Sequence, residues 1–208
     1  MKNLRERLEE AAAVIRGGGV IIYPTETVYG IGCNPFDEKA VKRVIMLKRR
    51  EDKPHPVLAS SLDDVLKVSS PSEEEIRLAG KLWPGPVTLV LEKRPELPGA
   101  VTFGQPSVGV RIPAHLIALE LVRLAGTPII GTSANVTGEP PAWRLELVAE
   151  ELRSGVDMLV DGGVTRYREP STVLKLVGDN VKIIREGAMK RAELREILSS
   201  TPYSILDD

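Results

Sequence analysis

An α/β fold on a mixed, twisted sheet is what this sequence predicts, and three observations carry the prediction. Short β-branched runs alternate with segments whose apolar residues recur at helical spacing. Late in the chain "STVLKLV" and "VKIIRE" stand close together as neighbouring strands, which breaks a pure strand-helix-strand rhythm. The 208 residues, 42% of them apolar, are enough to bury one sizeable core. A single domain over 1–208 is expected, with its core at about 7–188 and a final helix and tail at 189–208.

Residues 3–16 place Leu4, Leu8, Ala11, Ala12 and Ile15 on one stripe, so an amphipathic helix opens the fold. Gly17-Gly18-Gly19 stops it and "VIIY" follows as a strand. That order excludes a dinucleotide fingerprint, whose glycines must follow a strand and open a helix. No Walker-type phosphate loop occurs either. "DEKAVKRVIMLKRR" predicts a second helix, capped by Asp37 and ending in a dense basic cluster. "PVLAS" reads as a strand, "LDDVLKV" and "SEEEIRLAGKLW" as helices, "PGPVTLVLEK" as a turn feeding a strand, and "SVGVRI" as a strand. "AHLIALELVRLAG" is a helix with its glycine stop, and "TPIIGTSA" a strand breaking into a loop. A helix over 145–153, a strand and turn at "MLVDGG", the strand pair and a helix over 189–199 complete the series. The tail "TPYSILDD" is read as a frayed end.

The 28 basic and 29 acidic residues nearly cancel, so attraction to phosphate has to come from local clusters. One cysteine, Cys33, supports neither an internal disulfide nor a Cys-rich metal site and fits a reducing compartment. No secretory signal pattern opens the chain and no apolar run approaches the ~20 residues of a membrane span. The expectation is a soluble, cytoplasmic protein with no membrane partner.

Chemistry concentrates in a few places. Lys48, Arg49, Arg50 and Lys53 close a helix, where cations complement the macrodipole, but Lys53-Pro54 and His55-Pro56 also stiffen the exit. Cations held on a restrained turn suit a polyphosphate. In "GTSAN", Ser133 and Asn135 can direct a hydroxyl and an amide to one side of an extended loop, toward an oxyanion or a hydrated metal; a plain turn is the alternative. Arg111, among apolar neighbours in "GVRIP", needs an anionic partner, either a ligand or a buried carboxylate of the protein, and Arg185 in "IIREG" poses the same question. "YPTETVYG" supplies Thr25, Thr27 and Tyr29 on alternate residues, which face one side if the backbone stays extended. No Ser-His-Asp or Cys-His set is apparent, and His55 and His115 lack metal-ligand spacing.

Taken in order from residue 23 to 188, "YPTETVYGIG", "LKRREDKP", "WPGPVT", "SVGVRIP", "GTSAN", "EPSTV" and "IIREGA" resemble the threonylcarbamoyl-AMP synthase family, the YrdC-like proteins. The resemblance implies an open twisted mixed sheet with flanking helices around a concave basic cavity. It implies synthesis of L-threonylcarbamoyl-adenylate from L-threonine, bicarbonate and ATP, with release of pyrophosphate. This reaction opens threonylcarbamoyladenosine formation in tRNAs reading ANN codons. Lys48, Arg50, Ser133 and Asn135 match the catalytic and ATP-binding positions, joined by Arg185. Thr27, Arg111, Ser171 and Thr172 match positions for threonine and bicarbonate, with Thr25, Tyr29 and Lys53 beside them. Mg²⁺ would accompany ATP without a protein ligand set, and a separate threonylcarbamoyl transferase complex would take the product. Two departures stand out: Glu51 replaces a common proline, and "HPVLAS" lacks a histidine that some relatives carry. The chain resembles the short form, without a second C-terminal domain. A non-catalytic tRNA or double-stranded RNA binding module is the rival, disfavoured by the near-zero charge and few aromatics.

Overall fold

The first helix forms where its apolar stripe places it. In a computed structural model, which describes residues 3–49 and 53–206, α1 spans Leu4–Arg16. Asn3 Oδ1 accepts the Glu6 N–H at 2.9 Å and the Glu6 carboxylate accepts the Asn3 N–H at 3.1 Å, closing two donors that a helix start leaves open. Leu8, Ala11, Ala12 and Ile15 are buried, while Leu4 in the first turn stays exposed. The glycine stop leads into β1 (Ile21–Tyr23).

β1 pairs antiparallel with β2 (Gly30–Gly32), a strand absent from the sequence reading because "GIG" offers one apolar side chain and no alternation. Its glycines are required by proximity: a Cβ on Gly32 would overlap the Ile130 carbonyl. α2 (Glu38–Leu47) is capped by Asp37, whose Oδ1 accepts from the N–H groups of Lys39 and Ala40 at 2.9 and 3.1 Å. It ends before the predicted basic cluster, since Arg49 takes a left-handed φ of 49°. Arg50 and Glu51 lie outside the described residues.

Next come β3 (Val57–Leu58), α3 (Leu62–Val68), α4 (Glu73–Leu82), β4 (Val87–Glu92), the single turn α5 (Gly99–Thr102), β5 (Ser107–Arg111) and α6 (Leu116–Ala125). "TPIIGTSA" splits into β6 (Ile129–Ile130) and β7 (Thr132–Ser133), which join different sheets. The helix expected over 145–153 is a 3-10 turn, Leu145–Leu147, followed by α7 (Glu150–Gly155). Val148, extended at φ −70° and ψ 129° and buried, interrupts it because its side chain is drawn into the core. β8 (Met158–Leu159), the hairpin β9 (Thr172–Val177) and β10 (Asn180–Arg185), α8 (Arg191–Leu198) and β11 (Ser204–Ile205) complete the order. No helix among the described residues is long and apolar enough to cross a membrane.

The strands make two mixed sheets flanked by helices: β7-β2-β1-β8, and β11-β10-β9-β4-β5-β3-β6. In the larger one β4 runs parallel to β9 and antiparallel to β5, the mixture that the strand pair predicts. Alternate residues of β4 and β5 (Leu89, Leu91, Val108, Val110) enter the main core, while Tyr23, Leu58 and the packed faces of α1 and α6 form a second apolar cluster. The two sheets face a common space at the β1–β2 connection, the end of β5, β7 and the end of β10.

The tail is not frayed over its described part. β11 pairs parallel with β10, and Tyr203 is buried, its hydroxyl donating to the Glu74 carbonyl at 2.9 Å. Tyr203→Ala should therefore destabilise the fold by about 3–5 kcal/mol, the usual loss for a buried aromatic. Urea unfolding measures it; a midpoint equal to that of the unsubstituted chain would mean that the tail does not contribute.

Candidate functional site

The connection after β1 is bent, not extended. Thr25 Oγ1 accepts the N–H groups of Thr27 and Val28 at 3.2 and 3.3 Å, donates to the Val28 carbonyl at 2.7 Å and lies 2.8 Å from Thr27 Oγ1. This hydroxyl-stabilised turn brings Thr25 and Thr27 to one cavity, but by a different route from the alternation expected of an extended chain. Tyr29 lines the cavity, yet its phenol points elsewhere, within reach of Asp161 Oδ1 (2.9 Å) and the Gly163 carbonyl (2.8 Å), and it accepts the Gly162 N–H at 3.1 Å. Burial pushes its pKa up to about 12, so it serves as a neutral clamp on the 161–163 loop.

Arg111, at the end of β5, has the buried carboxylate partner that its surroundings demand. Its Nη1 donates to Glu26 Oε1 and to Thr27 Oγ1, both at 3.1 Å. The side chains of Arg111 and Glu26 are only 5% and 4% exposed, so the pair bridges the two sheets inside the protein. Glu26 is the residue that the sequence reading missed. The signal was present, since an arginine in an apolar strand requires a carboxylate, but which of many acids would reach it is a matter of tertiary structure.

Ser133 on β7, Ser171 before β9 and Arg185 at the end of β10 join Thr25, Thr27 and Arg111 in lining a cavity of about 80 Å³ that is open to solvent. Ser171 Oγ is 2.9 Å from Thr88 Oγ1, and Arg185 Nη2 donates to the Ser171 carbonyl at 2.7 Å. Partial desolvation, and secondarily the Arg111 charge, lower the pKa of Arg185. A second depression of about 340 Å³ shares Pro56, Ser171 and Arg185 with the first and has exposed Lys53 on its rim.

Other expected site residues are built into the walls. Lys48 is 1% exposed, and its ammonium donates to the carbonyls of Ser133 and of Asn135, the latter at 2.7 Å. It fixes the loop that carries Ser133, a role different from both a free phosphate contact and an exposed helix-end charge. Asn135 turns away from the cavity, its Nδ2 donating to the carbonyls of Val136 (3.0 Å) and Glu139 (2.7 Å). Thr172 is fully buried: its hydroxyl donates to the Met189 carbonyl at 2.6 Å and accepts the N–H groups of Gly187 and Met189. It anchors the loop after β10 and so reaches the site only through Arg185. His115, capping α6, has a lowered pKa, chiefly through burial. Beside the turn, Trp143 carries the guanidiniums of Arg144 and Arg168 at 4.9 and 4.7 Å from its ring centre. Among the described residues no cluster of three or more His, Cys, Asp or Glu side chains is placed to hold a metal ion.

The sequence profile of the Sua5/YciO/YrdC family, described as "Telomere recombination", matches residues 13–187. The chain belongs to this family. Among its relatives, a protein named threonylcarbamoyl-AMP synthase from Pyrococcus abyssi is 41% identical over 204 residues, covering 94% of this chain and 60% of the relative. A protein of the same name from Bacillus subtilis is 35% identical over 195 residues, covering 92% of this chain and 56% of the relative. The chain thus spans little more than half the length of these Sua5/YciO/YrdC relatives. The structure of Pyrococcus abyssi Sua5 complexed with L-threonine superimposes with a TM-score of 0.89 at 36% identity, over 99% of this chain and 60% of that one.

The wall role of Lys48 is testable through stability. Lys48→Met removes the ammonium donor from the Ser133 and Asn135 carbonyls, of which Ser133's keeps the Asn135 N–H, and should cost about 1–3 kcal/mol. Chemical denaturation reads this directly, and an unchanged unfolding midpoint would free Lys48 from the loop.

Proposed function

We propose that this protein joins L-threonine, bicarbonate and ATP into L-threonylcarbamoyl-adenylate and releases pyrophosphate, supplying the threonylcarbamoyl group for adenosine in tRNAs that read ANN codons. The observation that carries the reading is the pair of guanidiniums, Arg111 and Arg185, each pinned by one nitrogen and both facing one hydroxyl-lined cavity. Two relatives bear the name of this activity, and the crystal structure of Pyrococcus abyssi Sua5 holds L-threonine.

The residues divide the work by their geometry. Arg111 offers its remaining donors to the carboxylate of threonine, with the hydroxyls of Thr25, Thr27 and Ser171 around it. Arg185 and Ser133, with Lys53 on the rim, face the nucleotide, to which the family resemblance also assigns Arg50, and Lys48 and Asn135 hold the Ser133 loop in register for it. The threonine amine adds to bicarbonate with loss of water, giving a carbamate. A carbamate oxygen then attacks the α-phosphorus of ATP and pyrophosphate leaves. The protein needs no nucleophile for this; juxtaposition and charge compensation supply the rate. Mg²⁺ would accompany ATP, carried by the nucleotide's own phosphates. A reducing cytoplasm suits the lone buried Cys33, whose thiol pKa burial pushes up to about 12. The product would pass to a separate transferase that acts on tRNA.

Pyrophosphate release should require ATP, Mg²⁺, L-threonine and bicarbonate together. Release that continues at the same rate with threonine omitted would refute the assignment. Arg111→Lys keeps the charge and loses the planar fork, so calorimetry should show threonine affinity falling about tenfold or more with ATP affinity little changed. Equal threonine affinity in both proteins would remove Arg111 from the amino-acid pocket. If Arg111→Lys instead weakened RNA binding and spared threonine, the RNA-binding reading would gain.

A further inference from the structure

The two guanidiniums that face the cavity are held alike but compensated differently. Arg111 commits Nη1 to Glu26 and Thr27, and Arg185 commits Nη2 to the Ser171 carbonyl; the other donors of both have no acceptor among the described residues. The partner of Arg111 is a full negative charge. Glu26 is 3% exposed, and its second oxygen, Oε2, is buried without a hydrogen-bond partner, so no other donor draws on that charge. The partner of Arg185 is a neutral carbonyl. Tyr23, whose pKa burial raises, and His115, whose pKa burial lowers, stand uncharged near the pair at neutral pH. At this end of the cavity Arg111 and Glu26 cancel, leaving Arg185 as the uncompensated cation.

We propose that Glu26 sets the charge specificity of the cavity: it cancels Arg111 while leaving its fork open, so that the site accepts one carboxylate of a zwitterionic or singly charged ligand and disfavours dianions. The inference deepens the proposed function and rests on its placement of the threonine carboxylate at Arg111. Glu26 does not line the cavity, and it acts through Arg111 as a positioning residue. In a cavity partly screened from water an unneutralised arginine that shares the space with a second one would draw the most highly charged anion available, including the phosphates of the co-substrate. A buried carboxylate behind the guanidinium prevents this without obstructing the hydrogen bonds in front.

Glu26→Gln separates charge from geometry, because the amide oxygen still accepts from Arg111 Nη1. Calorimetric titrations of L-threonine and of sulfate, at constant ionic strength, compare the unsubstituted protein with Glu26→Gln, Glu26→Asp and the double variant Glu26→Gln/Arg111→Ala. Sulfate should bind Glu26→Gln about tenfold or more tightly and should gain on L-threonine in that variant. Glu26→Asp should keep the original preference, and the double variant should lose the sulfate gain. Unchanged sulfate affinity in Glu26→Gln, or Glu26→Asp behaving like it, overturns the proposal. Should Glu26→Gln not fold, competition in the unsubstituted protein still decides: sulfate that displaces L-threonine as readily as acetate does overturns the idea, and failure to displace it supports it. Absence of threonine binding to the unsubstituted protein would defeat the functional reading, while the sulfate comparison would still settle the part played by Glu26.

Discussion

The ion pair between Glu26 and Arg111 is the constraint on which the rest of the site depends. Glu26 belongs to the turn between β1 and β2 of the smaller sheet, and Arg111 ends β5 of the larger one, so a single buried contact links the two sheets across the space they enclose. Such a pair gains little over an apolar contact of similar size, but losing one member leaves a buried charge, which typically costs about 3–5 kcal/mol. Its contribution is therefore one of registration. The same turn carries Thr27 to Arg111, and the Glu26 carbonyl accepts the Tyr167 N–H at 2.9 Å, which secures the loop leading to Ser171 and β9.

Around this pair the protein makes loops rigid with buried polar groups, where apolar packing alone would leave them loose. Lys48 gathers the carbonyls of the Ser133 loop, Tyr29 clamps the 161–163 loop and Thr172 holds the chain after β10. Each is a polar side chain that directs hydrogen bonds inward to backbone atoms of a connecting segment. The connections around the cavity are thus tied to the strands that carry its lining residues.

Most of the architecture was legible because it rests on local signals. The cap at Asp37, the glycine stops and the strands β4 and β5 are decided by neighbouring residues, and they appear where the sequence predicts. The departures share a different cause. β2 exists because Gly32 lets a strand approach the Ile130 carbonyl, Val148 breaks a helix because the core takes its side chain, and β11 forms because β10 offers it an edge. In the site, residue types were legible and directions were not. Nothing in "GTSAN" tells that Asn135 faces away from Ser133, nor does "YPTETVYG" tell that the acid between two threonines meets an arginine 85 positions on.

Trp143 gives the protein an optical property. Its indole lies under the guanidiniums of Arg144 and Arg168, its carbonyl accepts the Thr165 N–H, and its neighbour Ala142 accepts the N–H of Tyr29. The excited state of indole carries a large dipole whose emission energy follows nearby charge, and here two cations sit on a ring wired through the backbone to the cavity turn. The other tryptophan, Trp83, is occupied with the Val87 carbonyl at the base of β4, outside the cavity lining. Intrinsic fluorescence from Trp143 therefore reports on the cavity turn with no label attached, and Trp83 supplies an internal reference within the same spectrum.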